Sequence, residues 1–115
     1  MRRGEIVSIN FDPARGSEAN KIRPAVIVSN DAANVTATRL GRGVITVVPV
    51  TSNITRIYPF QVLLPAHQTG LPQDSKAQAE QVRSVSVERI GGLLGQLPAA
   101  LITELDRALR VQLEL

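Results

Sequence analysis

Apolar and polar side chains alternate through most of the first half of the chain, the period of β-strands. Glu5–Asn10 reads as a first strand, ended by Asp12-Pro13 and Gly16, and residues 25–29 form an apolar run of strand length. A polar connection is expected over 30–42, where Asn30-Asp31 caps or turns and Gly41-Arg42-Gly43 breaks the chain. Residues 44–50 are the most β-branched stretch and by composition the central strand; Pro49 cannot donate to a ladder, so the end of this strand belongs at an edge or a bulge. A further strand is predicted over 60–64, a loop with Gly70 and Pro72 over 65–73, and a strand with one wet face over 76–82, although its Ala, Lys and Glu also suit a helix. Residues 85–90 read as a short helical turn and 93–96 as a last strand opened by Gly91-Gly92. With Pro98 at a first-turn position the period changes. Leu101, Ile102, Leu105, Ala108, Leu109 and Leu113 recur at three- and four-residue steps, an amphipathic helix whose stripe packs on the sheet.

These elements predict a mainly β fold with a C-terminal helix (α+β), built as a small, strongly curved sheet or partly closed barrel. Repeats and long linkers are absent, so residues 1–115 are expected to form a single domain. One helix covers only one face of such a sheet, and a second copy of the chain is the expected cover for the other.

Composition narrows the classes. The hydrophobic fraction is 43% with 20% charged residues, and no apolar run approaches the ~20 residues of a membrane helix. Met-Arg-Arg-Gly-Glu-Ile leads into no apolar stretch, so no secretory signal is expected; with zero cysteines this fits a soluble, cytoplasmic protein without disulfides or thiolate metal sites. The net charge of +3 comes from 11 arginines and 2 lysines against 10 acids. That bias favours the side chain that grips phosphate bidentately, and it permits a polyanionic partner without requiring one.

The candidate chemistry centres on Arg23. Pro24 pushes the residue before it towards extended backbone, which sets Arg23 at the mouth of a strand with its guanidinium free to face a groove. The loop before it is small and polar, with Gly16, Ser17, Ala19 and Asn20, and Glu18 and Lys21 are its charges. Thr51 and Ser52 follow the central strand, so strand ends at one rim can bring Arg23 and Thr51 to one phosphate; Thr51-Ser52-Asn53 also suits a plain turn. His67 is the only histidine and reads as an exposed loop residue, and the ten carboxylates show no ligand-like pairing. No metal and no cofactor are expected.

Taken in order, Arg3-Gly4-Glu5, Gly16-Ser17-Glu18, Lys21-Ile22-Arg23-Pro24 with its apolar run, Asn30-Asp31, Asn34, Thr51 and Glu80-Gln81-Val82-Arg83-Ser84 resemble the MazF/PemK toxin family over nearly the whole chain. The resemblance implies an SH3-like PemK barrel and a homodimeric, ribosome-independent endoribonuclease toxin held inactive by a labile MazE-like antitoxin. It lays Arg23 and Thr51 on the family's catalytic positions and Ser17, Glu18 and Gln81 on substrate-contacting ones. Lys21, Ser52 and Asn53 join the substrate set, as do Asn20 and Arg83, and Arg56 is a further candidate for phosphate contact. Departures are Val7, where relatives carry an aromatic, and the small Ala77 and Ala79. Single-stranded RNA supplies its own nucleophile, the 2′-hydroxyl, so cleavage to a 2′,3′-cyclic phosphate and a 5′-hydroxyl needs no metal. Phe11 and Phe60 are assigned to the core, which leaves base choice to polar side chains. The alternative on the same fold is a CcdB-like toxin that binds DNA gyrase without catalysis.

Overall fold

The computed structural model describes residues 1–115. Seven antiparallel strands and three helices follow in the order β1 (Glu5–Asn10), β2 (Ile22–Ile27), α1 (Asp31–Leu40), β3 (Val44–Thr51), β4 (Gln61–Leu64), α2 (Ala66–Thr69), β5 (Ser75–Gln78), β6 (Arg83–Ser86), β7 (Ile90–Gln96) and α3 (Ala99–Leu113). Pairing runs β4-β5-β3-β2-β1-β7, with β6 added on β3. The two ends of this order meet: a Cβ on Gly95 of β7 would lie 2.1 Å from the carbonyl oxygen of Thr69, in the helix that follows β4. The sheet therefore curls onto itself, as the small strands predicted.

Period-two alternation sorts the core into two sides. Ile6, Val26, Val48 and Val50 pack with Val62, Leu64 and Leu97 beneath Leu105 and Ala108 of α3, while Val7, Ile9, Ala25, Ile27, Ile45 and Val47 pack around Phe11 with Ala37 of α1 and Val85. α3 and α1 thus lie against opposite sides of the sheet, while Val35, Leu40, Val44, Leu93 and Leu94 stay exposed, apolar surface that leaves room for the second copy expected from the sequence. α3 follows its stripe through Leu109, but Leu113 is exposed, and Pro98 is the cap rather than a first-turn residue.

Several local expectations are corrected. Residues 31–40 form a helix, not a polar connection: the Asn30 side chain accepts the Ala33 N–H, and Gly41 ends the helix at φ 65° with its N–H on the Ala37 and Thr38 carbonyls. The 65–73 loop contains α2, where His67 is exposed. The strand predicted over 76–82 stops at Gln78 and passes into a 3-10 turn at Ala79–Gln81; it has no wet face at Lys76, which is buried. Residues 83–86 pair as β6 before a 3-10 turn over Val87–Arg89, and β7 begins at Ile90 rather than 93. Phe11 is fully buried, whereas Phe60 is half-buried and stacks on Tyr58, ring centroids 5.3 Å apart. Pro49 sits where β3 changes partner, between the ladder to β6 that ends at Val47 and the ladder to β5 that starts at Val50. Its missing N–H falls at that break, inside the sheet and opposite Ala25 of β2, rather than at the edge or bulge expected.

Candidate active site

β2 is paired on both sides only in its second half. Ile22–Pro24 pair with β1, but the ladder to β3 begins at Ala25. Arg23 therefore lies within the strand, not at its mouth as the Arg-Pro sequence suggests, and one side of that stretch is open. Pro24 has no N–H to leave unpaired there.

The opening is a groove of about 390 Å³ between that free edge and the end of β3. Lys21, Ile22, Arg23 and Pro24 form one wall, Val50, Thr51, Ser52 and Asn53 another, and Leu71, Pro72, Gln73 and Ser75 close it. No carboxylate lines it, so the charge carried there by Lys21 and Arg23 is positive.

Arg23 is half-buried and fixed. Its Nε donates to the Asn20 carbonyl at 2.8 Å and its Nη2 to Asn20 Oδ1 at 2.9 Å. Those bonds occupy one edge of the guanidinium and leave Nη1 and the second Nη2 proton without a protein partner, a fork of the shape that matches two phosphate oxygens. No acid neutralises it. Thr51, last residue of β3, accepts the Asn53 N–H on Oγ1 at 3.3 Å, so its hydroxyl proton is free to donate into the groove. Asn53 in turn accepts the Thr55 N–H. Thr51 thus makes the turn that its neighbours suggest and lines the cavity as well.

The other sequence-derived candidates separate. Asn20 holds Arg23, and Lys21 enters β2 from a left-handed backbone at φ 62° with its N–H on Asp12 Oδ1. Ser17 and Glu18 are exposed on the 11–21 loop outside the groove; Glu18 accepts the Arg15 N–H. Gln81 spans to that loop, accepting the Ala19 N–H at 3.0 Å and donating to the Ser17 carbonyl at 2.9 Å. Arg83 lies over the Phe11 ring, 5.8 Å from its centre, and does not line the groove.

Sequence reasoning missed three parts of the site. Gln73 and Ser75 enter through the turn before β5, and only Pro72 hinted that the chain bends there. Buried Lys76 stands opposite Thr51 in the ladder and donates from Nζ to the Arg56 carbonyl at 2.6 Å. With Gln61 accepting the Tyr58 N–H and Arg107 donating to the Pro59 carbonyl, that bond pins the 52–60 loop beside the end of β3 at three points. Arg56 lies over the outward Tyr58 ring, 5.6 Å from its centre.

Comparison with known proteins meets this geometry from outside. Residues 2–113 match the family model described as PemK-like, MazF-like toxin of type II toxin-antitoxin system. The chain is 65% identical over 115 residues to endoribonuclease MazF9 of Mycobacterium tuberculosis, covering 100% of this chain and 98% of that protein. Among solved structures, MazF from Deinococcus radiodurans superposes with a TM-score of 0.83 at 32% identity, covering 100% of this chain and 97% of that one. A MazE–MazF structure from the same organism gives 0.71 at 30% identity, covering 98% and 94%.

Proposed function

Since this chain belongs to the PemK-like, MazF-like toxin family of type II toxin–antitoxin systems, we propose that the groove holding Arg23 and Thr51 is where it cuts RNA. The protein is an endoribonuclease of that family, and the relative that shares 65% of its residues is named for the same activity. The observation that carries the assignment of the site is the shared cavity: a guanidinium fork without an acid partner and a hydroxyl with a free proton, on two walls of one groove that holds no negative charge.

Cleavage needs three things from such a groove. The 2′-hydroxyl must be aligned with the phosphorus and the leaving 5′-oxygen, the dianion that forms must be stabilised, and the 5′-oxygen must be helped away. Thr51 fixes a non-bridging oxygen by donating its proton, which orients the phosphate for in-line attack. Arg23 meets the growing charge with its fork. A guanidinium is not deprotonated near neutrality, so Arg23 stabilises charge and hydrogen-bonds the departing oxygen without acting as a base; the 2′-hydroxyl gives its proton to water and the 5′-oxygen takes one from water as it leaves. Lys21 adds charge at the same wall, and Ser52, Asn53 and Gln73 offer neutral donors and acceptors at the groove for sugar and base edges. Products end in a 2′,3′-cyclic phosphate and a 5′-hydroxyl.

Single-stranded RNA fits an open groove of this size, because unpaired bases expose their edges to side chains. The toxin acts in the cytoplasm as a homodimer and is held by a MazE-like antitoxin; the solved MazE–MazF assembly of a relative at 30% identity supports that partner. No relative described above favours the gyrase-binding alternative. The test is cleavage of a purified single-stranded RNA by the wild-type chain and by Arg23→Ala and Thr51→Ala. Wild-type cleavage that falls by two orders of magnitude or more in Arg23→Ala, with the fold retained, supports the site. Undiminished cleavage by both variants overturns it.

A further inference from the structure

Two residues of the substrate set make contacts that point inward rather than to RNA. Gln81, in the 3-10 turn after β5, uses both ends of its amide on the 11–21 loop: Oε1 accepts the Ala19 N–H and Nε2 donates to the Ser17 carbonyl. Ala19, which donates the first of those bonds, is buried in the same core cluster as Val7, Ile9 and Phe11. The next residue, Asn20, presents its carbonyl and its side-chain oxygen to Arg23 Nε and Nη2.

We propose that Gln81 and Asn20 are positioning residues for Arg23: Gln81 locks the loop at Ser17 and Ala19, and Asn20, carried by that loop, sets the plane and direction of the guanidinium. The inference rests on the reading of Arg23 given above. It assigns Gln81 no contact with substrate, since both polar atoms of its side chain are already engaged by backbone and it does not line the groove.

The chemistry of the chosen partners supports this. Arg23 is held by two neutral oxygens instead of a carboxylate, so it is oriented without losing its net charge. A carboxylate in that place would hold the same edge but offset the cation that the phosphate needs. Position matters as much as charge, because a shift of about 1 Å in a group aimed at the reacting phosphate is worth on the order of 100-fold in rate.

The two roles for Gln81 differ in what they predict. A base-reading residue, when removed, weakens cleavage at some sequences and raises KM. A positioning residue slows every site alike. The experiment maps and times cleavage of a long single-stranded RNA and of short oligonucleotides from its cut sites by wild type, Gln81→Met, Asn20→Asp and Arg23→Ala. Met keeps the volume of Gln81 without its hydrogen bonds, and circular dichroism with thermal melting establishes that each variant is folded. Asn20→Asp, on a half-buried loop residue, serves where Gln81→Met does not fold.

Gln81→Met is expected to lower kcat by roughly 10- to 100-fold at all cut sites, with KM within about threefold of wild type and the order of preferred sequences unchanged. Asn20→Asp is expected to lose at least about 10-fold in kcat, also without a change of sequence preference. Altered preference in the folded variants, a loss confined to KM, or no loss while Arg23→Ala is inactive would overturn the positioning role and leave the nuclease site standing. Full activity in Arg23→Ala would instead remove the reading on which the inference rests.

Discussion

Replacing Arg23 with lysine separates charge from geometry. Arginine meets Asn20 with Nε and Nη2 and still presents Nη1 and a second Nη2 proton to the groove. Lysine keeps the positive charge but has one nitrogen, which cannot reach both Asn20 oxygens and offer two parallel donors to a phosphate. One charge-assisted hydrogen bond in the transition state is worth about 1.5–3 kcal/mol, so losing one arm of the fork predicts a fall in kcat of roughly 10- to 100-fold. Arg23→Ala removes the charge too, and a loss of about 100- to 1,000-fold follows. The side chain is half-buried and its cation donates two hydrogen bonds to neutral oxygens, so removing one costs about 1.5–3 kcal/mol of stability at most, and thermal melting separates that loss from the loss of rate. The assay is single-turnover cleavage of an oligonucleotide spanning one mapped cut, with thermal melting of the same preparations. Wild-type rates in Arg23→Lys would refute the fork, since a point charge would then suffice. Arg23→Ala within threefold of wild type would refute the site.

Two further outcomes test the scaffold. Gly95→Ala puts a methyl 2.1 Å from the Thr69 carbonyl oxygen, a backbone atom that cannot swing aside, so the variant should lose at least about 3 kcal/mol in urea unfolding or fail to fold. An Asp31→Asn variant tests the start of α1. Hydrogen bonding from the Arg3 N–H, opposed by desolvation and helped by the Asn34 amide and the charges of Arg2 and Arg3, holds the Asp31 carboxyl below its ordinary value of 3.8. A lowered native value means that the carboxylate stabilises the fold above pH 3.8 and that this contribution fades as pH falls through the native value. Asp31→Asn should therefore melt below wild type at pH 7, with the gap closing on acidification below that range.

Much of the fold was legible because the strands obey period two and the last helix obeys its own period. β1 was read to the residue, and β3 and α3 to within one or two, from β-branched runs and a leucine stripe. α1 was not, because Asp31–Leu40 carries Val35, Thr36 and Thr38 and buries only Asn34 and Ala37, too thin a stripe to stand out. Its ends were legible all the same, in Asn30 and Gly41. The β5 segment misled for the opposite reason: Lys76 looks like a wet residue, yet it is buried with its ammonium spent on a loop carbonyl.

The site was legible where backbone chemistry decides position. Arg-Pro marks an extended arginine and a threonine ends the central strand, so local rules make the two candidates for one rim, while their catalytic pairing comes from the family resemblance; the structure puts both on one groove. What remained hidden depends on contacts far apart in sequence. Gln81 reaches Ser17 across 64 positions, and Arg107 of the last helix reaches Pro59. No local pattern says whether an amide will point at a ligand or at a loop.

The central claim is that the protein cuts RNA with the substrate's own 2′-hydroxyl in the Arg23–Thr51 groove. Mass spectrometry of the ends left by the purified wild-type protein on a single-stranded RNA, with and without EDTA, tests it most directly. The account predicts 2′,3′-cyclic phosphate and 5′-hydroxyl ends at the same rate in both samples, and no cut where the nucleotide before the scissile bond carries a 2′-deoxy sugar. Cleavage that leaves 5′-phosphate ends, needs a divalent metal or tolerates the 2′-deoxy sugar would contradict it.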